Sequence, residues 1–205
     1  MISYYIIHCQ KHIERLKNIE RVQKSLDVNI FNGVEITGAE ISDKFPEITF
    51  VESGFRNTGE LGCYLSHYSL LKEIKDKPGY SVIFEDDVKF EEGLHEKIEK
   101  ITREEFDMVF LGNLQNARGA RVKNNIYMPP RGALWGTHAL LFKNENVHKI
   151  IETLTTMEMA IDNQYKKRID EGRINAFVIQ PNLCVQNKGL RSTIHRIFCH
   201  HDHRL

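Results

Sequence analysis

The sequence predicts a layered α/β domain whose sheet is largely parallel in its first half. Three observations predict it. Short apolar, β-rich runs at residues 3–8, 80–84 and 106–112 have the look of buried strands. Stretches with helical spacing of apolar residues separate them. No repeat, low-complexity block or Pro/Gly/Ser-rich linker divides the chain, so residues 1–194 form one predicted domain, followed by a polar, His-rich tail at 195–205.

The first strand is Ser3-Tyr4-Tyr5-Ile6-Ile7-His8. In the next stretch Ile13, Leu16, Ile19, Val22 and Leu26 recur at helical spacing with charges between them, which predicts an amphipathic helix. A second strand at 28–31 ends at Asn32-Gly33. Residues 36–58 carry Gly38, Pro46 and Gly54 with weak periodicity and are expected to be a long loop. A helix follows from about Glu60 to Lys77, capped by Asn57 or Thr58 and stopped by Pro78-Gly79. The 80–84 strand runs directly into Glu85-Asp86-Asp87, with a charged helix expected at 91–101. Further strands are expected at 106–112, 121–128, 133–142 and 174–181, and helices at 144–154 and 158–171.

Composition narrows the function classes. The 205 residues carry 28 Lys+Arg against 28 Asp+Glu, a net charge of zero, and 41% are hydrophobic. That balance argues against disorder. It also removes the sequence-independent attraction on which nucleic-acid binders rely, so no nucleic-acid partner is expected. The four cysteines are scattered without a CxxC, which disfavours a zinc framework or a disulfide scaffold. No apolar run approaches the ~18 residues of a membrane span, and no basic segment precedes the N-terminal strand as a signal peptide requires. A cytoplasmic protein with at most peripheral membrane contact is the expectation.

The acidic triplet carries the chemistry. Three adjacent carboxylates raise one another's pKa unless a cation or donors compensate. A hard divalent ion takes oxygen ligands and keeps positions for water and phosphate. Alternate residues at a strand end point the same way, so Glu85 and Asp87 would share a face and Asp86 the other. That arrangement suits a metal clip for a diphosphate. A solvated turn, or Asp87 capping a following helix, is the competing reading, and the residues alone leave both open.

Glu60-Leu61-Gly62-Cys63-Tyr64-Leu65-Ser66-His67, followed by Val82-Ile83-Phe84-Glu85-Asp86-Asp87, resembles glycosyltransferase family 25. Downstream, the 106–112 run, Gly136-Thr137-His138-Ala139, Ala160-Ile161-Asp162, and the segment Pro181 to Ile194 resemble further family elements. The likeness covers about residues 3–194. The first strand departs from it: Lys11, Glu14 and Arg15 fit, whereas His8 and Gln10 do not.

The resemblance implies a GT-A-like fold, a mostly parallel central sheet flanked by helices. It implies a metal-dependent inverting transfer of a hexose, most often galactose, from a UDP-sugar to a hydroxyl of a glycan, as in lipooligosaccharide synthesis. Mn2+ or Mg2+ is the implied cofactor. Hydroxylysine of a collagen-like protein is the alternative acceptor, and an inactive binding module the alternative function. Inversion requires a base for the acceptor hydroxyl. Asp162 is the candidate, against a helix-surface Asp. Glu85 and Asp87 are the candidate metal ligands. His8, Arg15, Glu60, Asp86, Gly136 and Thr137 are the candidate donor contacts. For Arg15 a solvated charge competes with a phosphate contact, and for Glu60 a buried polar tie between helix and sheet competes with a donor wall. Trp135 is either a sugar platform or core. His195, in the tail, is a candidate for closing over the diphosphate.

Overall fold

A computed structural model describes residues 1–190; the His-rich tail and Ser192-Thr193-Ile194 lie outside the described residues. The strands are β1 (Ile2–His8), β2 (Val28–Asn32), β3 (Thr49–Phe50), β4 (Tyr80–Glu85), β5 (Val88–Phe90), β6 (Met108–Phe110), β7 (Arg121–Lys123), β8 (Ile126–Tyr127), β9 (Ala139–Lys143), β10 (Thr156–Met157), β11 (Ala176–Ile179) and β12 (Cys184–Gln186). The helices are α1 (Leu16–Gln23), α2 (Ile41–Lys44), α3 (Thr58–Ile74), α4 (Leu94–Ile101), α5 (Val147–Leu154) and α6 (Ile161–Asp170).

The central sheet has the order β2-β1-β4-β9-β6-β11-β8-β7. Its first part is parallel as expected: β1 pairs in parallel with β2 and β4, so His8, Asn32 and Glu85 end at one edge. β9 then enters antiparallel between β4 and β6, with Phe84 opposite Ala139. β11 returns parallel to β6, and β8 is antiparallel to β11. Only β9 and β8 therefore oppose the common strand direction. The consequence for the site is topological. An antiparallel β9 starts where β4 stops, so the segment leading into β9 is delivered to the carboxyl end of β4.

Strand residues alternate between two cores. Tyr5, Ile7, Ile83, Phe110 and Leu140 face the helices α3, α5 and α6. Tyr4, Ile6, Val82, Phe84 and Val109 face α1 and α4. Each such side chain removed from water is worth about 1.5–3 kcal/mol, so the strand edges are rigidly based.

Several expectations shift. Residues 13–15 form a 3-10 turn, and α1 begins only at Leu16. The helix is thereby rotated: Ile13 and Leu16 are exposed, and Arg15 and Asn18 are buried with Ile19 and Val22. A buried carboxylate on the sheet side accounts for that, as shown below. The expected loop at 36–58 contains α2 and the short β3, which pairs with β10. β5 follows the acidic triplet before α4, and it pairs antiparallel with β12, beyond the expected last strand. The expected strand at 133–142 begins only at Ala139, leaving Gly136 and Thr137 in the segment before it.

Candidate active site

β4 ends on Glu85, and Asp86-Asp87 form the turn into β5. The backbone leaves strand geometry there, so alternation fails. Asp86 and Asp87 both reach Arg15, while Glu85 points to α3 and to the approach to β9. Arg15 Nη1 donates to Asp86 Oδ1 and lies 3.6 Å from Asp87 Oδ2. His8 Nδ1 donates to Asp86 Oδ2 at 2.8 Å. Asn18 Nδ2 donates to the carbonyls of Asp86 and Val88, both at 2.9 Å. His8, Arg15, Asn18 and Asp86 are all buried. Asp86, expected to meet the donor, thus has both oxygens held internally, and His8 and Arg15 are the groups that hold them. This closed network explains why α1 buries its polar positions.

Asp87 is anchored through its backbone, with Asn187 N–H donating to its carbonyl at 2.7 Å. Gln186 Nε2 reaches its Oδ2 at 3.5 Å, and its Oδ1 is buried without a hydrogen-bond partner. Burial, then the neighbouring Glu85 charge, push its carboxyl up to about 7, against the opposing pull of Arg15. Both contacts come from the β12 end, which the sequence reading did not connect to the acidic turn.

Glu85 sits differently. Its Oε1 accepts from Thr137 Oγ1 at 2.5 Å and lies 3.4 Å from His67 Nε2 and 3.9 Å from Cys63 Sγ. Its backbone N–H donates to His138 O at 3.1 Å, the first rung of the β4–β9 pairing. Burial raises its carboxyl, but His67 and Thr137 outweigh burial and hold it at about 2. Among the described residues no Lys or Arg lies within ion-pair distance of it.

Cys63 and His67 are one turn apart on α3, so they present a common face. Asn57 Oδ1 caps that helix by accepting from Glu60 N–H at 3.0 Å. Gly62 lets it approach the chain after β2: a Cβ there would lie 2.6 Å from Val34 O. His67 is buried and ties α3 to the end of β4 through Glu85. Cys63 turns its thiol toward Glu85, and its four-residue spacing to His67 is the sequence signal for that shared face.

Two cavities meet at Cys63 and Glu85, which line both. The first, of about 260 Å3, is bordered by Cys9, Lys11, His12, Arg15 and Asp86 beyond the end of β1. The second, of about 400 Å3, is bordered by Glu60, Trp135, Gly136, Thr137, Asp162 and Gln186. Asp87 and His8 border neither. Asp162, in the first turn of α6, accepts from Gly136 N–H at 3.2 Å and from Asn163 N–H at 2.7 Å. Burial raises its carboxyl despite those donors. Glu60 is buried and accepts from Arg56 Nε at 2.6 Å and Arg56 N–H at 2.8 Å. Trp135 is 48% exposed, so it is not core.

Carboxylate, thiol and imidazole atoms at this edge are of kinds that bind cations. The unpartnered Asp87 Oδ1 and the Glu85 carboxylate are oxygen donors of the kind Mn2+ and Mg2+ take, and the orphaned oxygen fits such an ion. Cys63, His67 and Glu85 offer sulfur, nitrogen and oxygen atoms within 4.8 Å of one another, a set that suits a softer ion.

The profile of glycosyltransferase family 25 (LPS biosynthesis protein) matches residues 1–165. The chain belongs to that family. A rat protein named probable inactive glycosyltransferase 25 family member 3 is 38% identical over 64 residues, 28% of this chain and 11% of its own length. Procollagen galactosyltransferase 1-A of Xenopus laevis is 34% identical over 61 residues, 26% of this chain and 10% of its own. Human procollagen galactosyltransferase 2 is 46% identical over 44 residues, 21% and 7% of the two chains. The chain thus spans about a tenth of the length of these relatives. Among solved structures, mouse xyloside xylosyltransferase 1 superposes with a TM-score of 0.44 at 12% identity, covering 85% of this chain and 64% of that one. No helix among the described residues is long and apolar enough to cross a membrane.

Proposed function

We propose that this chain transfers a hexose, galactose in the first instance, from a UDP-sugar to an acceptor hydroxyl with inversion. The supporting observation is the pair of cavities that meet at Glu85, with a buried carboxylate, Asp162, in the second. In this reading the donor occupies the first cavity, where Lys11 and His12 face its phosphates. Glu85 and Asp87 would hold Mn2+ or Mg2+, which when bound offsets the charge that develops on the departing diphosphate.

The chain's own residues do the rest. Thr137 and His67 fix the rotamer of Glu85 at the junction of the cavities. The Arg15–Asp86–His8 network fixes the acidic turn against α1. Asp162 takes the proton of the acceptor hydroxyl as its oxygen bonds to the anomeric carbon, while the bond from that carbon to the phosphate oxygen breaks and UDP leaves. The raised carboxyl of Asp162 suits a base that must be ionised yet avid for a proton.

A surface glycan is the acceptor this reading favours, since the family's own description is of LPS biosynthesis. Hydroxylysine stands as the alternative because two relatives are named procollagen galactosyltransferases. A second reading, an inactive binding module, is favoured by one observation: Asp86 and Arg15 are committed to each other, and Asp87 borders no cavity. Incubation with UDP-galactose and Mn2+ separates the two. Release of UDP that chelator abolishes supports transfer. A folded protein that releases none, from UDP-galactose or UDP-glucose, supports the inactive module.

A further inference from the structure

Trp135 is the single tryptophan of the chain and stands half exposed at the second cavity. Leu114, 49% exposed, lines the same cavity and lies beside Gly136. Large apolar side chains grouped at the rim of a concave polar site mark surface that a ligand covers.

The indole is held in position by the backbone on either side of it. Leu114 N–H donates to Trp135 O at 2.9 Å, and Trp135 N–H donates to Gln115 Oε1 at 2.9 Å. Gly136 has φ +99°, a left-handed conformation that side chains rarely adopt. A Cβ there would also lie 2.9 Å from Leu114 Cγ and 3.0 Å from His138 Nδ1. The chain therefore turns at Gly136 in a way few other residues permit. The turn places Trp135 at the rim and sends Thr137 to Glu85. The same Gly136 donates its N–H to Asp162.

An aromatic face thus shares a cavity with the carboxylates of Asp162, Glu60 and Glu85 and the amides of Asn163 and Gln186. A pyranose ring matches that pairing. One ring face presents C–H groups to the indole, and the ring hydroxyls donate to carboxylate and amide oxygens.

We propose that the second cavity is the acceptor subsite and takes a saccharide ring stacked on Trp135, with a hydroxyl directed to Asp162. The catalytic meaning of that placement rests on the transferase reading above; the binding itself does not.

The lone tryptophan makes the site self-reporting, because all indole emission comes from it. Titration of the full chain with the methyl β-glycosides of galactose, glucose and N-acetylglucosamine is expected to give a saturable shift of emission with at least one of them. Saturation-transfer NMR with that glycoside is expected to show at least tenfold weaker binding to Trp135→Ala and near wild-type binding to Trp135→Phe, both checked for folding by circular dichroism. No saturable response to any of the three, or equal affinity in Trp135→Ala, overturns the site. A response to a hydroxylysine-containing peptide and to none of the glycosides overturns the choice of a saccharide. Glycoside binding that depends on Trp135, in a protein that releases no UDP from any UDP-sugar, upholds the site and sinks the transferase reading alone.

Discussion

The two halves of the site are built on opposite principles. On the β1 side, charge is cancelled inside the protein: Asp86 accepts from His8, Arg15 and, through its carbonyl, Asn18, and all are buried. On the β9 side, Trp135 stands half in water and Asp162 faces a cavity with only backbone donors. The Asp86 network behaves as scaffold, because both oxygens of that carboxylate already have protein partners. The second half is poised for a ligand, because its half-exposed indole and the cavity beside Asp162 gain contacts when something enters. Glu85 belongs to both, being tied to α3 and Thr137 yet bordering both cavities.

The largest expected effect breaks the open half without harming the fold. Asp162→Asn should lower transfer by about 10²–10⁴-fold, the usual contribution of a positioned base. It should not lower thermal stability at pH 8. Asp162 has a folded pKa above its ordinary 3.8, so the native state binds more protons than the unfolded chain in the window just above 3.8. Stability contributed by the protonated group is lost as pH rises through that window. The Asn variant lacks this loss, so its melting temperature should gain on wild type as pH rises. A variant that melts far lower at pH 8 would make Asp162 structural. The pH–rate profile gives a second reading of the same group. Wild-type transfer should climb with pH through the raised pKa of Asp162, and that limb should vanish in the Asn variant.

Asp86→Ala is the mirror case, expected to harm stability first. Removing one partner of a buried ion pair costs about 3–5 kcal/mol, and here both Arg15 and His8 lose their contact. Urea denaturation checks it. A loss under about 1 kcal/mol, the range typical of surface pairs, would mean that the network is not the scaffold described. Gly136→Ala comes next, at about 1–3 kcal/mol for a strained backbone, with loss of the glycoside-induced emission shift. Retention of that shift would detach the Gly136 turn from the presentation of Trp135.

The contrast also marks what the sequence made legible. Strands β1, β4 and β6 and helix α3 were readable because periodicity and caps are local signals. The edge carrying Glu85 followed from them. Glu60, Gly136, Thr137 and Asp162 do converge with Glu85 on one cavity, while His8, Arg15 and Asp86 converge on one another. What escaped was non-local. The insertion of β9 antiparallel beside β4, and the pairing of β12 with β5, depend on contacts distant in sequence. Strand alternation did not foresee that Asp87 approaches Arg15, because the chain turns at Asp86 and alternation holds only within a strand. The apolar spacing through Ile13 and Leu16 suggested a longer helix. The buried demand of Asp86 for Arg15 and Asn18 prevailed over it.

The central claim is that Glu85 and the orphaned Asp87 oxygen together hold a cation that receives a nucleotide's diphosphate. Isothermal titration of UDP into the full chain, with and without Mn2+, tests it most directly, with Asp87→Asn in parallel. UDP should bind wild type at least tenfold more tightly with Mn2+ than without, and that difference should disappear in the variant. Equal UDP affinity in the presence and absence of Mn2+, or an undiminished Mn2+ effect in Asp87→Asn, would contradict it.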